Sequence, residues 1–154
     1  MISVALSTAC GGKKYPGTWP AHELYLSPRI KALYRRRNDF PLFILSAEYG
    51  LIDCHREISS YQRVMSSERA VELAQSVANA MRQFDVWVHF KAGARSEYSQ
   101  CMRRAAVLSG VPLVMLGFAN MGCLQECIAV AQLLREGSSI PAGIRSLETC
   151  GIEP

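Results

Sequence analysis

The sequence contains no cysteine pair in CxxC spacing, no GxxxxGK[ST] loop and no HExxH. No Ser-His-Asp arrangement surrounds any of its three histidines. The commonest phosphate loop and the commonest zinc and hydrolase signatures are therefore excluded. No apolar run reaches the roughly 20 residues needed to cross a bilayer. Met1 to Cys10 lacks the basic start and long apolar core of a signal peptide, so the expected compartment is the cytoplasm, with no membrane partner. There is no internal repeat and no low-complexity segment.

Six cysteines (10, 54, 101, 123, 127 and 150) are present, and a domain of this length needs no cross-links, so they read as free thiols in a reducing compartment. Cys123 and Cys127 would share a helix face, but two ligands do not make a zinc site. The expectation is no metal and no cofactor.

Nearly half of the 154 residues are hydrophobic, which fits one globular domain with a core of its own. Seventeen Lys and Arg against thirteen Asp and Glu leave a formal charge of +4. Its distribution says more than its size. Lys13-Lys14, Arg29, Lys31 and Arg35-Arg36-Arg37 crowd the first quarter, and Arg103-Arg104 adds a second pair. Basic clusters without matching acids suit a phosphate backbone, although a run such as Arg35 to Arg37 is also what a solvated helix face looks like.

Four short apolar runs, "ISVALS" (2–7), "PLFILS" (41–46), "VWVHF" (86–90) and "PLVMLGF" (112–118), alternate with helical patterns. Runs so continuously apolar are expected of strands buried on both faces of a parallel sheet. Ala70, Leu73, Ala74, Val77, Ala78, Met81 and Phe84 recur at helical spacing behind a Ser66 or Ser67 cap. Residues 96–110 and 121–137 repeat the scheme, each ending in glycine. A less regular helix spans about 22–37, broken at Ser27-Pro28. The sum is a three-layer α/β fold. It has a central four-stranded, mainly parallel sheet and helices on both faces. It forms a single domain over 1–137, followed by a loosely packed tail, 138–154.

In such sheets ligands bind beyond the carboxyl ends of the strands. Each expected strand is followed there by a conspicuous loop: "STACGGKKYPG", "SAEYGLID", "KAGARSEY" and "GFANMG". The first offers Cys10, a thiol that two lysines could activate, the close-approaching backbone of Gly11 and Gly12, and the charges of Lys13 and Lys14. The second offers Glu48 as a general base or electrostatic stabiliser and Tyr49 as a stacking ring. Lys91 and Arg95 flank a glycine turn that opens a helix, a phosphate site in type. His89 lies inside a strand, and His22 and His55 fall in loops.

"CGGKK…AHELYLSPRIKAL" followed by "ILSAEYGLIDCHREISSYQRVM" resembles the YaaA-like families and their uncharacterised relatives. The likeness spans about residues 3 to 66 and is most specific in LSAxYGL. Matched positions are Cys10, Lys13, Lys14, Leu24, Tyr25, Ser27, Ser46, Tyr49, Gly50, Ile58, Tyr61 and Met65. Glu48 stands where many relatives have lysine or an apolar residue, and Cys54-His55 replace a proline-containing stretch. The resemblance implies nucleic-acid work, and the four-strand plan is analogous to uracil-DNA glycosylases.

The expected function is thus a DNA glycosylase-like enzyme that hydrolyses the N-glycosidic bond of a modified base. The base would flip against Tyr25, Tyr49 or Tyr61, in a pocket that also includes Cys10, Ser46 and Gly50. Glu48, or else Asp53, would stabilise the sugar cation, and Gly11-Gly12 amides would receive the charge of the departing base. Lys14 could instead attack the sugar as an amine. Lys13, Lys14, Ser27, Lys91 and Arg95 would hold phosphates. The alternatives are a non-catalytic DNA-binding protein of the YaaA kind and an enzyme acting on free nucleosides or nucleotides. A monomer is the expected state.

Overall fold

A computed structural model describes residues 1–117, 123–144 and 147–151. All four apolar runs form strands: β1 (Val4–Ala9), β3 (Leu42–Ser46), β6 (Val86–Phe90) and β7 (Leu113–Leu116). They lie parallel in the order β3-β1-β6-β7. Every residue of the four is buried, as continuous apolar runs require.

The sheet is wider than four strands. β4 (Gly50–Asp53) turns back antiparallel on β3, and β8 (Glu148–Cys150), from the segment expected to be a loose tail, pairs antiparallel with β7. β2 (Thr18–Pro20) and β5 (Glu57–Ser59) make a separate two-stranded ribbon. β1 runs two residues past Ser7, where the apolar run ends, because Thr8 and Ala9 pair with Ile44 and Leu45.

The irregular first helix is two pieces, α1 (Ala21–Leu24) and α2 (Pro28–Arg36), divided where Pro28 opens α2 behind a Ser27 cap. α3 (Ser67–Met81) begins at the Ser66 cap, α4 covers Ser96–Ser109, and α5 covers Leu124–Arg135. The β1-to-β3 and β3-to-β6 crossovers run in opposite directions along the sheet. With right-handed connections, α2 and α3 must lie on opposite faces. α3 packs along α4, while α5 lies against β1 and β6. The core centres on Trp87, fully buried, whose ring meets Phe43 and Phe84 edge-on and whose indole N–H donates to the Met81 carbonyl at 2.8 Å. Among the described residues no helix is long and apolar enough to cross a membrane.

This order reverses direction between β1 and β6. The carboxyl ends of those two strands therefore flank the natural ligand crevice of the fold.

Candidate active site

The "SAEYG" stretch is first of all a turn. Ser46 Oγ accepts from the backbone N–H groups of Glu48 and Tyr49, both at 3.1 Å, and donates to the Tyr61 hydroxyl at 2.8 Å. Gly50 then pairs with Ser46 across a three-residue hairpin loop at φ 81°, a conformation that favours glycine. Arg69 of α3 secures the loop from outside by donating to the carbonyls of Ala47 and Glu48. Ser46 and Gly50 thus build the turn, and through Ser46 the turn reaches Tyr61.

From Tyr61 the network continues. Its hydroxyl lies 2.7 Å from that of Tyr25. Beside them Cys10, at the end of β1, lies 3.1 Å from the Tyr98 hydroxyl of α4. Burial raises the pKa of all three tyrosines well above the ordinary value, with Cys10 adding to the effect. Their hydroxyls therefore keep their protons.

Lys14 sits over this cluster. An isolated bridge to Tyr25 fixes its backbone, and Tyr15 N–H and Leu26 N–H bond to Leu24 and Lys13 on either side. Its Nζ lies 4.3 Å from the Tyr61 ring centroid and 3.2 Å from the Gly12 carbonyl, to which it donates. Burial lowers the pKa of the amine, against an opposing pull from Cys10. Gly12 has open space around it, whereas Gly11 is pressed against Ser27.

Two chemically important residues had no local signal. Tyr98 looked like one more apolar position of a helix. Arg29 looked like one of many basic residues. The Arg29 guanidinium spans the crevice, donating to the Ala9 carbonyl at 2.8 Å and the Ala92 carbonyl at 2.9 Å, with a longer bond to Cys10. Only the fold brings these partners together.

Other expected residues fall elsewhere. Tyr25 is completely buried and offers no free face for a base to stack on. Asp53 pairs with Phe43, three residues back from the Ser46 end of β3, and its carboxylate accepts from the His55 N–H. It is a turn cap and lies away from the crevice. Glu48 faces Arg63 at 3.9 Å on the outside of the hairpin. Ser27 caps α2. Lys91 is bound to Glu148 at 2.6 Å, and Arg103 holds the same carboxylate. Arg95 pairs with Glu97 at the exposed start of α4. Lys13 is exposed, and Tyr49 donates to the Ser59 carbonyl with its ring edge-on to Tyr61. The loop expected after the fourth strand lies outside the described residues beyond Gly117. Gly117 itself approaches Ala92 so closely that a Cβ would stand 2.7 Å from its nitrogen.

A profile for a family of unknown function, DUF6884, matches residues 4–118. The chain belongs to that family. The matched span runs from β1 to the end of β7, and so includes all four parallel strands and the whole Cys10–Lys14–Tyr61–Tyr98 cluster. No curated protein and no solved structure matches the chain.

Among the described residues, one group could bring metal ligands together: Asp53, Cys54 and His55, with donor atoms within 4.8 Å of one another. The Cys54 sulfur is nearly equidistant from both ring nitrogens of His55, at 3.7 and 4.0 Å, so it faces the side of the ring and not one lone pair. Burial raises the thiol to about 11. The Asp53 cap on the His55 N–H accounts for the arrangement without an ion.

Proposed function

We propose that this protein cleaves the N-glycosidic bond of a modified base in DNA, with Lys14 as the reacting group in place of either carboxylate. The observation that carries the reading is the Lys14 amine, its pKa lowered by burial, lying against a buried set of proton donors at the ligand edge of the sheet. A neutral amine is a nucleophile, and an ammonium is not.

The hydroxyl network supplies a neutral floor beneath the amine: Ser46, Tyr61 and Tyr25 are joined by two hydrogen bonds and, because burial raises both tyrosines, stay protonated. In the proposed reaction the Lys14 nitrogen bonds to C1′ of the sugar and the C1′–N bond breaks. The bonding pair leaves with the base, which takes a proton from the new secondary ammonium. The remaining N–H proton passes to the ring oxygen as the sugar opens to a Schiff base, and water then hydrolyses it to restore the amine. Residues 35–37 and Lys13 give the surface the charge that a phosphate backbone requires.

A second reading, binding without cleavage, is favoured by the two carboxylates. Glu48 faces Arg63 and Asp53 caps a turn, so neither is poised beside a sugar cation. Lys14 would then hold a phosphate.

One experiment separates the two. Genomic DNAs carrying different modified bases are incubated with the protein. Released small molecules are identified by mass spectrometry, and a parallel sample is treated with borohydride to trap any Schiff base. Free base and an adduct mapping to Lys14 are expected. If no DNA yields free base, the binding reading replaces the enzyme. Release without an adduct removes Lys14 from its role as nucleophile.

A further inference from the structure

Beside Lys14 the chain turns its next residue outward. Tyr15 leaves the Lys14 cluster and faces a groove of about 530 Å³ between the β2 ribbon and α2, lined also by Trp19, His22, Lys31, Tyr34 and Arg35. That volume lies within the usual range of ligand sites, about 300 to 1,000 Å³. Tyr15 and Trp19 are two of the few exposed aromatic rings, 41% and 40% accessible. Their centroids are 5.6 Å apart. Trp19 is not loose, because its indole N–H donates to the Pro16 carbonyl at 2.9 Å. On the far wall the rings of His22 and Tyr34 are stacked, with centroids 3.8 Å apart and planes nearly parallel.

Two cations line the same groove. Lys31 Nζ stands 6.0 Å from the Tyr15 centroid, and Arg35 follows one helical turn later. The groove continues into a second hollow of about 850 Å³ along α2, where Lys31 and Arg35 are joined by Arg36. Among the described residues Lys31, Arg35 and Arg36 have no carboxylate partner. Glu23 is the acid on the wall of the first hollow, against Lys31 and Arg35. Fixed, exposed rings alongside unpaired cations are what successive unstacked bases and their phosphates require. A duplex presents only base edges and phosphates, and would leave the ring faces idle.

We infer that this groove is a track for single-stranded DNA, with bases on Trp19 and Tyr15 and phosphates on Lys31 and Arg35. It rests on the DNA reading above and deepens it, since the track begins one residue from Lys14. It does not depend on bond cleavage.

The test is fluorescence anisotropy with a short labelled oligothymidylate, a labelled duplex and a labelled polyglutamate. Trp87, fully buried, reports folding of the Trp19 variants through its emission, and far-ultraviolet circular dichroism reports folding of the variants that keep Trp19. Trp19→Ala is expected to weaken oligothymidylate binding about 5- to 150-fold, the scale of one lost base stack, and Trp19→Phe to restore most of it. Lys31→Gln and Arg35→Gln should each reduce the salt slope by about 0.7. Unchanged binding by folded Trp19→Ala and Tyr15→Ala overturns the track. Duplex or polyglutamate bound as tightly as the single strand overturns it too. Base release with unchanged Trp19→Ala binding would sink this inference alone. A Trp19-dependent strand affinity without any base release would sink the enzyme and keep the track.

Discussion

The two sides of the crevice treat their basic residues differently. On the β1–β3 side, Lys14 lies over the rings of Tyr25 and Tyr61 and has no ion-pair partner among the described residues. On the β6–β7 side, Lys91 directly follows β6, in the loop region beyond the same sheet edge, but is held by Glu148, which also takes Arg103. The contrast teaches that a lysine after a parallel strand is available chemistry only where no distant acid claims it. Here the acid arrives on β8, 57 residues after Lys91.

The largest effect that would break this comparison is on base release. Lys14→Met removes the nucleophile and should reduce single-turnover release by more than about 10⁴-fold, beyond the range for losing an acid-base group alone. Lys91→Met and Glu48→Gln should each cost less than about threefold, an expectation for side chains outside the reacting cluster. Equal losses from Lys14→Met and Lys91→Met would erase the distinction between the two sides.

A second effect, on stability, belongs to the β6 side alone. His89 is fully buried, with Nδ1 2.8 Å from Ser7 Oγ and no partner on Nε2 among the described residues. Burial, then the charges of Arg29, Lys91 and Arg103, push it down to about 3. The unfolded chain binds that proton near 6.5, so the folded state holds its full advantage above that pH. The advantage falls as pH drops toward 3, by about 1.4 kcal/mol per unit for one proton. Urea unfolding between pH 6.5 and 5 should show a shallower decline in His89→Gln than in the parent. Matching slopes would mean that the ring is protonated in the folded state.

The smallest effect sharpens the contrast. Glu148→Gln releases Lys91 and Arg103, at a stability cost below about 1 kcal/mol because the carboxylate is partly exposed. DNA binding should become more salt-dependent, by up to about 0.9 per freed cation. An unchanged slope would show that the β6–β7 side is closed to phosphates by more than one carboxylate.

How far the sequence reaches follows the range of the interactions. The four parallel strands were legible because strands buried on both faces must be apolar throughout. Ser66 and Ser27 were legible as caps or helix breaks because capping is settled within three residues. β4 and β8 were not, since short edge strands carry no such run: β4 ends in an exposed aspartate, and β8 contains Glu148 and Thr149. The Cys10–Tyr98 contact joins residues 88 apart, and no local pattern contains it. The same range explains the misplacements. Lys91 is silenced by a residue from the segment expected to be loose, and Asp53 is carried away from the crevice by the reversal of β4. Tyr25, expected as a stacking face, is sealed by the packing that positions Lys14.

Arg29 has one more consequence, for the order in which the molecule assembles. Its carbonyl partners lie 19, 20 and 63 residues away, on the ends of two strands. Those acceptors come together only once β6 has docked beside β1, so the guanidinium can close late in folding and open early in unfolding. Contacts of that kind leave the folding rate nearly untouched and govern the rate of escape from the native state. Arg29→Met should therefore unfold faster in a denaturant jump while refolding at close to the parental rate. A slowed refolding limb would place the strap in the folding nucleus. In its expected role the residue is a latch on the finished sheet, and it keeps the floor of the crevice closed for as long as the protein remains folded.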